Sequence, residues 1–267
     1  MRLYTERMSS SQPMNRIIDT HCHLDFEVFD EDRDEVMRRA EATSIDHIVV
    51  PAVDIGNWDT ISDLTREATG LHACYGLHPC YVERHRPEHL DALQDHIRNH
   101  DCIAVGECGL DYRDGMAARE QQQFYFERQL KIAENNSLPV IIHSVRATED
   151  VIRALKPHDG LTGIVHSYSG SYEQAVQLHA MGFRLGFGGV ITYDRARRLR
   201  DTVSKLPLEA IVLETDAPDQ PDAAHHGERN EPAFIDRVVD SIAELRGEDR
   251  EHIIAQTSAN ARMLLGL

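Results

Sequence analysis

The chain has 267 residues, of which 41% are hydrophobic and 27% are charged, so it carries enough apolar material for a large core. Its 28 Lys and Arg residues against 45 Asp and Glu residues give a net charge of −17. This composition excludes a disordered chain and a small disulfide-stapled one. It also argues against a partner that is held by a broad basic surface, since long-range attraction of a polyanion requires positive charge.

The polar start of the chain, MRLYTERMSSSQPMNR, lacks the apolar segment of a secretory signal, and no run approaches the roughly 18 to 20 apolar residues that cross a bilayer. We therefore expect a cytoplasmic protein with no membrane partner. The five cysteines form no C-x-x-C pair, which favours reduced thiols over disulfides or a thiolate zinc site. Because no repeat or linker divides the chain, we predict a polar extension at 1–15 and a single domain at 16–267.

Eight short, mostly apolar runs that end in polar residues recur along the chain, and such runs are typical of parallel strands buried on both faces. The runs are RIID to position 19, HIVVPAV at 47–53, HACYGLH at 72–78, CIAVGE at 102–107, PVIIH at 139–143, GIVH at 163–166, FRLGFGG at 183–189 and AIVLETD at 210–216. Each interval has room for one helix and a return. This pattern predicts an α/β fold, a slightly irregular TIM (β/α)8 barrel, with a doubly wound open sheet as the alternative.

Helical periodicity appears between the runs. In REQQQFYFERQLKIAENN, at 119–136, Phe126, Leu130 and Ala133 fall on one face. The final stretch, EDREHIIAQTSANARMLLGL, is typical of a closing amphipathic helix.

Histidines and carboxylates follow the predicted strands at the end where a barrel places its active site. They are Asp19, His21 and His23 after the first strand, Glu107 at the end of the fourth, His143 after the fifth, His166 after the sixth and Asp216 after the eighth. Alternate side chains of an extended segment share a face, so His21 and His23 can face one ion. Taken alone, each such residue is more often a core or surface residue than a ligand. Together, the six residues other than Asp19 predict a binuclear metal centre, because buried charges without partners are costly and metal ions would supply those partners. The Glu107 carboxylate could bridge the two ions.

The strings DTHCHLDF, YGLHP, AVGECGLDY, IIHS, VHSYSG and LETDAP, in this order and spacing, resemble the TatD family of metal-dependent deoxyribonucleases, which are amidohydrolase-like barrels. RNEP at 229–232 and the closing SANARMLLGL extend the resemblance over nearly the whole chain from Arg16, and TDAPDQP and GGVITY are similar to the YjjV-like branch. The resemblance implies metal ligation by the six residues already identified: His21, His23, Glu107, His143, His166 and Asp216. It also implies a substrate class, the phosphodiester bonds of DNA, commonly attacked from the 3′ end.

Two further residues are candidates for substrate binding. His78, in GLHP, follows the third run and could contact substrate or orient a ligand, although a hydrogen-bonded loop histidine explains it equally well. The family often has an arginine two residues after the strand-five histidine, but here Val145 occupies that position and Arg146 follows. A phosphate-binding role for Arg146 therefore competes with that of a solvated arginine at a helix start. Asp25 and Asp111 are expected to cap or orient neighbouring loops.

These observations predict a hydrolase in which two divalent ions hold the scissile phosphate and activate a water, with Asp216 as general base and Glu107 as the bridge between the ions. Zinc is the favoured bound ion, and magnesium or manganese are alternatives. The expected partner is a DNA end or a small phosphodiester, and the oligomeric state is left open. Ions beside Glu107 and Asp216 would offset part of the charge of −17, so we expect weak, salt-sensitive contact with DNA.

Two other functions are compatible with the same residues. A small-molecule amidohydrolase or lactonase would share the H-x-H pair, the later histidines and Asp216, although many such enzymes use a carbamylated lysine at the position of Glu107. A non-catalytic metal-binding scaffold is the third possibility, and an aspartate at the barrel mouth argues weakly against it.

Overall fold

The apolar runs form eight parallel strands that pair in chain order in one sheet, and helices cover the outside. This arrangement is seen in a computed structural model that describes residues 16–267. The strands are β1 (Ile17–Asp19), β2 (Ile45–Pro51), β3 (Leu71–Tyr75), β4 (Ala104–Asp111), β5 (Val140–Val145), β6 (Gly163–Val165), β7 (Phe183–Phe187) and β8 (Ile211–Leu213). The helices are α1 (Arg33–Ala42), α2 (Trp58–Glu67), α3 (Glu88–Asn99), α4 (Arg119–Asn136), α5 (Thr148–Leu155), α6 (Tyr172–Ala180), α7 (Arg197–Lys205), α8 (Ile235–Arg246) and α9 (Arg250–Leu265).

Hydrogen bonds that join the end of β8 and the segment after it to the segment after β1 bring the two ends of the sheet together. The Thr20 N–H donates to the Leu213 carbonyl at 2.9 Å, and the Asp216 N–H donates to the His21 carbonyl at 2.8 Å. The sheet is therefore a nearly closed barrel, which confirms the predicted fold and rules out the doubly wound alternative.

The apolar core has two parts, as expected when strands bury both faces. A large outer cluster lies between the strands and the surrounding helices. Inside the barrel, side chains such as Ile18, Val49 and Ile141 form a second cluster, which Ala261 and Leu265 of α9 join. The predicted closing helix thus contributes directly to the barrel interior.

The predicted helix at 119–136 is α4, with the same bounds, and its three residues Phe126, Leu130 and Ala133 are all buried. All five cysteines are free, as predicted. No helix within residues 16–267 is long and apolar enough to span a membrane. The predicted extension at 1–15 lies outside the described residues, and the single domain at 16–267 stays a prediction.

One strand boundary differs from the prediction where it matters for the site. We expected the fourth strand to end at Glu107, but β4 continues to Asp111. Its pairing with β5 shifts register between Val105 and Cys108, next to Glu107. At Gly109, where φ is +141°, a Cβ atom would lie 2.0 Å from the His143 carbonyl oxygen, so only glycine fits this close pairing. Gly109 therefore allows the strand to continue past Glu107.

Candidate metal centre

The barrel brings the six predicted ligands together at the carboxyl ends of its strands. They are His21, His23, Glu107, His143, His166 and Asp216. Most of them are fully buried, and the side chains of His143 and Asp216 are each 12% exposed. Residues as far apart in sequence as His21 and Asp216 meet because every parallel strand of a barrel ends at the same face.

Glu107 lies at the centre, and each of its carboxylate oxygens faces a different group of imidazoles. Oε2 lies 3.1 Å from Nε2 of His21 and 3.5 Å from Nε2 of His23. Oε1 lies 2.8 Å from both Nδ1 of His143 and Nε2 of His166. One carboxylate thus contacts two separate sets of nitrogen donors.

Asp216 belongs to the first of these groups. Its Oδ1 lies 3.6 Å from Nε2 of His21 and 3.7 Å from Nε2 of His23. Its other oxygen, Oδ2, accepts a short hydrogen bond from the Gln220 side-chain amide. Burial raises the pKa of Asp216 to about 6, although His166 opposes this shift.

The donor set fits a pair of divalent cations. Within each group the imidazole nitrogens converge: Nε2 of His21 and His23 are 3.3 Å apart, and Nδ1 of His143 is 3.3 Å from Nε2 of His166. Only one nitrogen of such a pair can carry the shared proton. Glu107 Oε2, although it lies 3.1 Å from Nε2 of His21, meets no donor in hydrogen-bonding geometry within residues 16–267. A cation between converging lone pairs supplies the missing partner, and the mixture of imidazole and carboxylate suits zinc and similar ions.

In the first group, the pKa values favour the neutral imidazoles that a metal ion requires as ligands. Burial lowers the pKa of His21 well below its usual range and that of His23 to about 4, so both imidazoles are neutral at pH 7. Burial alone would raise the pKa of Glu107, but the imidazoles that face it hold the value well below its usual range. Glu107 in turn outweighs the burial of His166 and raises the pKa of that imidazole to about 10. A bound cation would displace this proton, as metal binding to histidine generally does.

Asp111 supports the second group, a role that goes beyond the predicted orientation of a loop. Its Oδ2 lies 3.0 Å from Nε2 of His143, whose other nitrogen faces Glu107. Arg113 donates to the same carboxylate through Nε at 3.0 and 2.9 Å and through NH2 at 2.6 Å. Burial alone would raise the pKa of Asp111, but these hydrogen bonds lower it below the usual range. The alternation of side chains along β4 is a sequence signal that could have found it, had the strand been continued past Glu107.

Two more buried carboxylates lie behind the centre. Asp19, left out of the predicted ligand set, accepts hydrogen bonds from the N–H and hydroxyl of Thr215 at 3.0 and 2.6 Å and from the N–H of His21 at 3.2 Å. It therefore holds the backbone that carries His21. Glu214, which sequence reasoning missed, lies 3.8 Å from Nδ1 of His166, and burial raises its pKa to about 8.

A cavity of about 520 Å³ opens beside the centre. Its lining consists of His23, Phe26, Val53, His78, Cys80, Tyr81, Glu107, Arg113, His143, Val145, His166, Asp216, Asp219 and Gln220. Its lining combines the imidazoles and carboxylates of the centre with the rings of Phe26 and Tyr81.

The two predicted substrate-binding residues lie in different places. His78 lines the cavity, with its Nε2 3.0 Å from Glu107 Oε1 and 3.1 Å from His143 Nδ1, so it also borders the second imidazole group. Arg146 is exposed and does not line the cavity, whereas its neighbour Val145 does. The structure thus brings His78 to the centre but not Arg146.

Comparison with known proteins gives the family that the motifs indicate. A family model described as TatD related DNase matches residues 18–266. The uncharacterized metal-dependent hydrolase YjjV of Escherichia coli K12 is 40% identical over 241 residues, which are 89% of this chain and 93% of that protein. The 3'-5' ssDNA/RNA exonuclease TatD of Erwinia amylovora is 32% identical over 263 residues, which are 94% of this chain and 100% of that protein.

A solved structure agrees with this similarity. The crystal structure of the TatD homologue YjjV from Escherichia coli K12 has a TM-score of 0.92 and 37% sequence identity. The match covers 96% of this chain and 100% of that chain. The similarity therefore extends over the barrel and the loops that carry the site.

Proposed function

The chain belongs to the TatD family of metal-dependent hydrolases, and from this premise we propose that it hydrolyses phosphodiester bonds of DNA, as an exonuclease at strand ends. The observation that carries the proposal is the position of Glu107, with one oxygen toward each of two imidazole groups. Two metal ions separated by one carboxylate are a recurring arrangement for the displacement of a phosphate ester. The relative from Erwinia amylovora, named as an exonuclease on single-stranded DNA and RNA, supports the substrate class.

We assign the six ligands to two positions that share Glu107. His21, His23 and Asp216 would hold one ion, and His143 and His166 would hold the other. Zinc is the favoured bound ion for these nitrogen and oxygen donors, and magnesium or manganese are the alternatives.

When bound, the two ions supply a water of lowered pKa and polarise a phosphoryl oxygen. The Asp216 carboxylate is the proposed general base, and Gln220 holds one of its oxygens so that the other remains on the side of the ligand group. Glu107 is the second proposed catalytic residue, because its buried, ionised carboxylate keeps the two groups of donors in one arrangement.

His78 and Arg146 are the proposed substrate contacts. The His78 ring lines the cavity beside the imidazoles, where it can meet a phosphate oxygen or the leaving group. Arg146 lies outside that lining and would reach only the part of a strand that extends beyond the cavity.

The proposal is tested by elemental analysis of the purified protein together with assays on single-stranded DNA, double-stranded DNA and a small phosphodiester reporter. We expect turnover that a chelator abolishes and a divalent ion restores. Asp216→Asn should abolish turnover while much of the metal stays bound, and retained activity would remove Asp216 from the mechanism. Fewer than about one ion per chain after metal supplementation would count against a two-ion centre.

A small-molecule amidohydrolase or lactonase is the second candidate. It is favoured by the charge of −17 and by a cavity whose lining includes three carboxylates, since both features disfavour long nucleic acids. Lactone, ester and amide substrates should therefore be assayed beside the phosphodiester. If only these carbon-centred substrates turn over, the nuclease proposal fails.

A further inference from the structure

We propose that Arg113 forms a phosphate-binding position at the mouth of the metal cavity, where its guanidinium holds a non-bridging oxygen of the substrate phosphate. The inference rests on the proposed phosphodiester function and names the side chain that recognises the anion. It was not apparent from the sequence, in which Arg113 follows the AVGECGLDY motif without a clear pattern of its own.

The first argument is charge. Among the 14 residues that line the cavity, Arg113 is the one arginine or lysine, whereas Glu107, Asp216 and Asp219 are acidic. A phosphate that enters this cavity therefore meets one permanent positive charge among the lining residues. Guanidinium groups also match the geometry of phosphate oxygens better than ammonium groups do.

The second argument is orientation. Nε and NH2 of Arg113 are used to hold Asp111, and the Arg113 N–H also donates to Asp111 Oδ1 at 3.0 Å. The remaining nitrogen, NH1, makes no hydrogen bond to any of residues 16–267, and the side chain is 50% exposed. One edge of the guanidinium is therefore fixed while its other nitrogen can donate to a ligand. Such an ordered donor loses little conformational entropy on binding.

The third argument is position relative to the metal centre. Asp111 Oδ2 accepts both from Arg113 NH2 at 2.6 Å and from His143 Nε2 at 3.0 Å. Asp111 thus links the Arg113 guanidinium, which lines the cavity, to the proposed metal ligand His143. A phosphate held by the ions and by Arg113 at once would be positioned from two directions.

The same geometry allows another role, in which Arg113 merely supports Asp111 and so His143. Val145 offers a way to separate the two roles. It is the Cα pairing partner of Asp111 across β4 and β5, and it lines the same cavity. An arginine introduced at this position would carry its charge into the cavity.

The test measures binding of inorganic phosphate to the metal-loaded protein by calorimetry, together with metal content. Arg113→Gln should weaken phosphate binding about 10- to 100-fold, the usual effect of losing hydrogen bonds to a charged group. The metal content should not change. Arg66→Gln is the matched control, because Arg66 is an exposed arginine paired with Asp63 at 2.5 Å and lies outside the cavity lining.

Equal phosphate affinity in Arg113→Gln and the wild type would overturn the proposal. The proposal is also overturned if Arg113→Gln loses metal content and phosphate affinity together, because that result would show that Arg113 only supports Asp111. In the double variant Arg113→Gln with Val145→Arg, partial recovery of phosphate binding supports the proposal. No recovery in a folded, metal-loaded double variant counts against it.

The kinetic measurement adds an independent result. On the phosphodiester reporter, Arg113→Gln should raise KM more than it lowers kcat. If the wild type cleaves no phosphodiester but Arg113→Gln still loses phosphate binding, the proposed function fails and the phosphate position stands. If the wild type cleaves the reporter and Arg113→Gln behaves like Arg66→Gln, the phosphate position fails and the proposed function stands.

Discussion

Replacing Asp111 with asparagine should weaken one of the two proposed metal positions selectively. His143 Nδ1 lies 2.8 Å from Glu107 Oε1 and Nε2 lies 3.0 Å from Asp111 Oδ2. When Nδ1 ligates an ion, Nε2 carries the ring hydrogen and donates it to Asp111. Asparagine keeps the size of the side chain but removes the negative charge beside the imidazole. Loss of such an outer partner typically lowers metal affinity about 10- to 100-fold, or about 1.4 to 2.7 kcal/mol. No such contact joins Asp111 to His21 or His23 in residues 16–267, so the other position should keep its affinity.

The assay is a zinc titration of metal-free protein against a competing chelator of known affinity. We expect two equivalents in the wild type, and in Asp111→Asn one position with unchanged affinity and one that is weaker by the factor above. Asp63→Asn is the control, since it removes a carboxylate from an exposed pair with Arg66. Identical titrations of Asp111→Asn and the wild type would refute the reasoning. A parallel loss at both positions would show that Asp111 supports the whole site.

Three further predictions concern stability. Phe126→Ala should cost about 3–5 kcal/mol of unfolding free energy in urea, because the ring is 1% exposed; a loss below about 1 kcal/mol would contradict its place in the core. Arg229→Ala should lower the urea midpoint slightly, because it removes hydrogen bonds to Asp32 of 2.8 and 2.7 Å from a solvent-screened pair, and an unchanged midpoint would refute this. Burial, with a smaller effect of His47, lowers the pKa of His72 from 6.5 to about 4. The unfolded chain therefore binds the proton more tightly, and stability falls as the pH decreases from 6.5 toward 4. His72→Gln should lose less stability than the wild type over that range, and parallel pH profiles would disprove the assignment.

Much of the fold was predictable from the sequence because it depends on local patterns. Short apolar runs separated by amphipathic stretches are typical of strands buried on both faces, and the helix at 119–136 was found with its observed bounds. The six candidate ligands followed from the same pattern, since parallel barrel strands all end at one face. The H-x-H spacing placed His21 and His23 in one group, as the 3.3 Å between their Nε2 atoms shows.

The connections between those residues required the tertiary structure. Glu107 lies within β4, next to an irregular register, and the imidazoles that face each of its oxygens come from other strands of the barrel. The contact of Asp111 with His143 joins residues 32 positions apart, and that of His78 with Glu107 joins residues 29 apart. A local pattern determines which face a side chain occupies, whereas the atoms it meets depend on strand register and closure. The sequence by itself therefore determined the barrel and which residues form the candidate site. The packing of distant strands decided which of these residues contact one another, which other residues support them and how their pKa values shift.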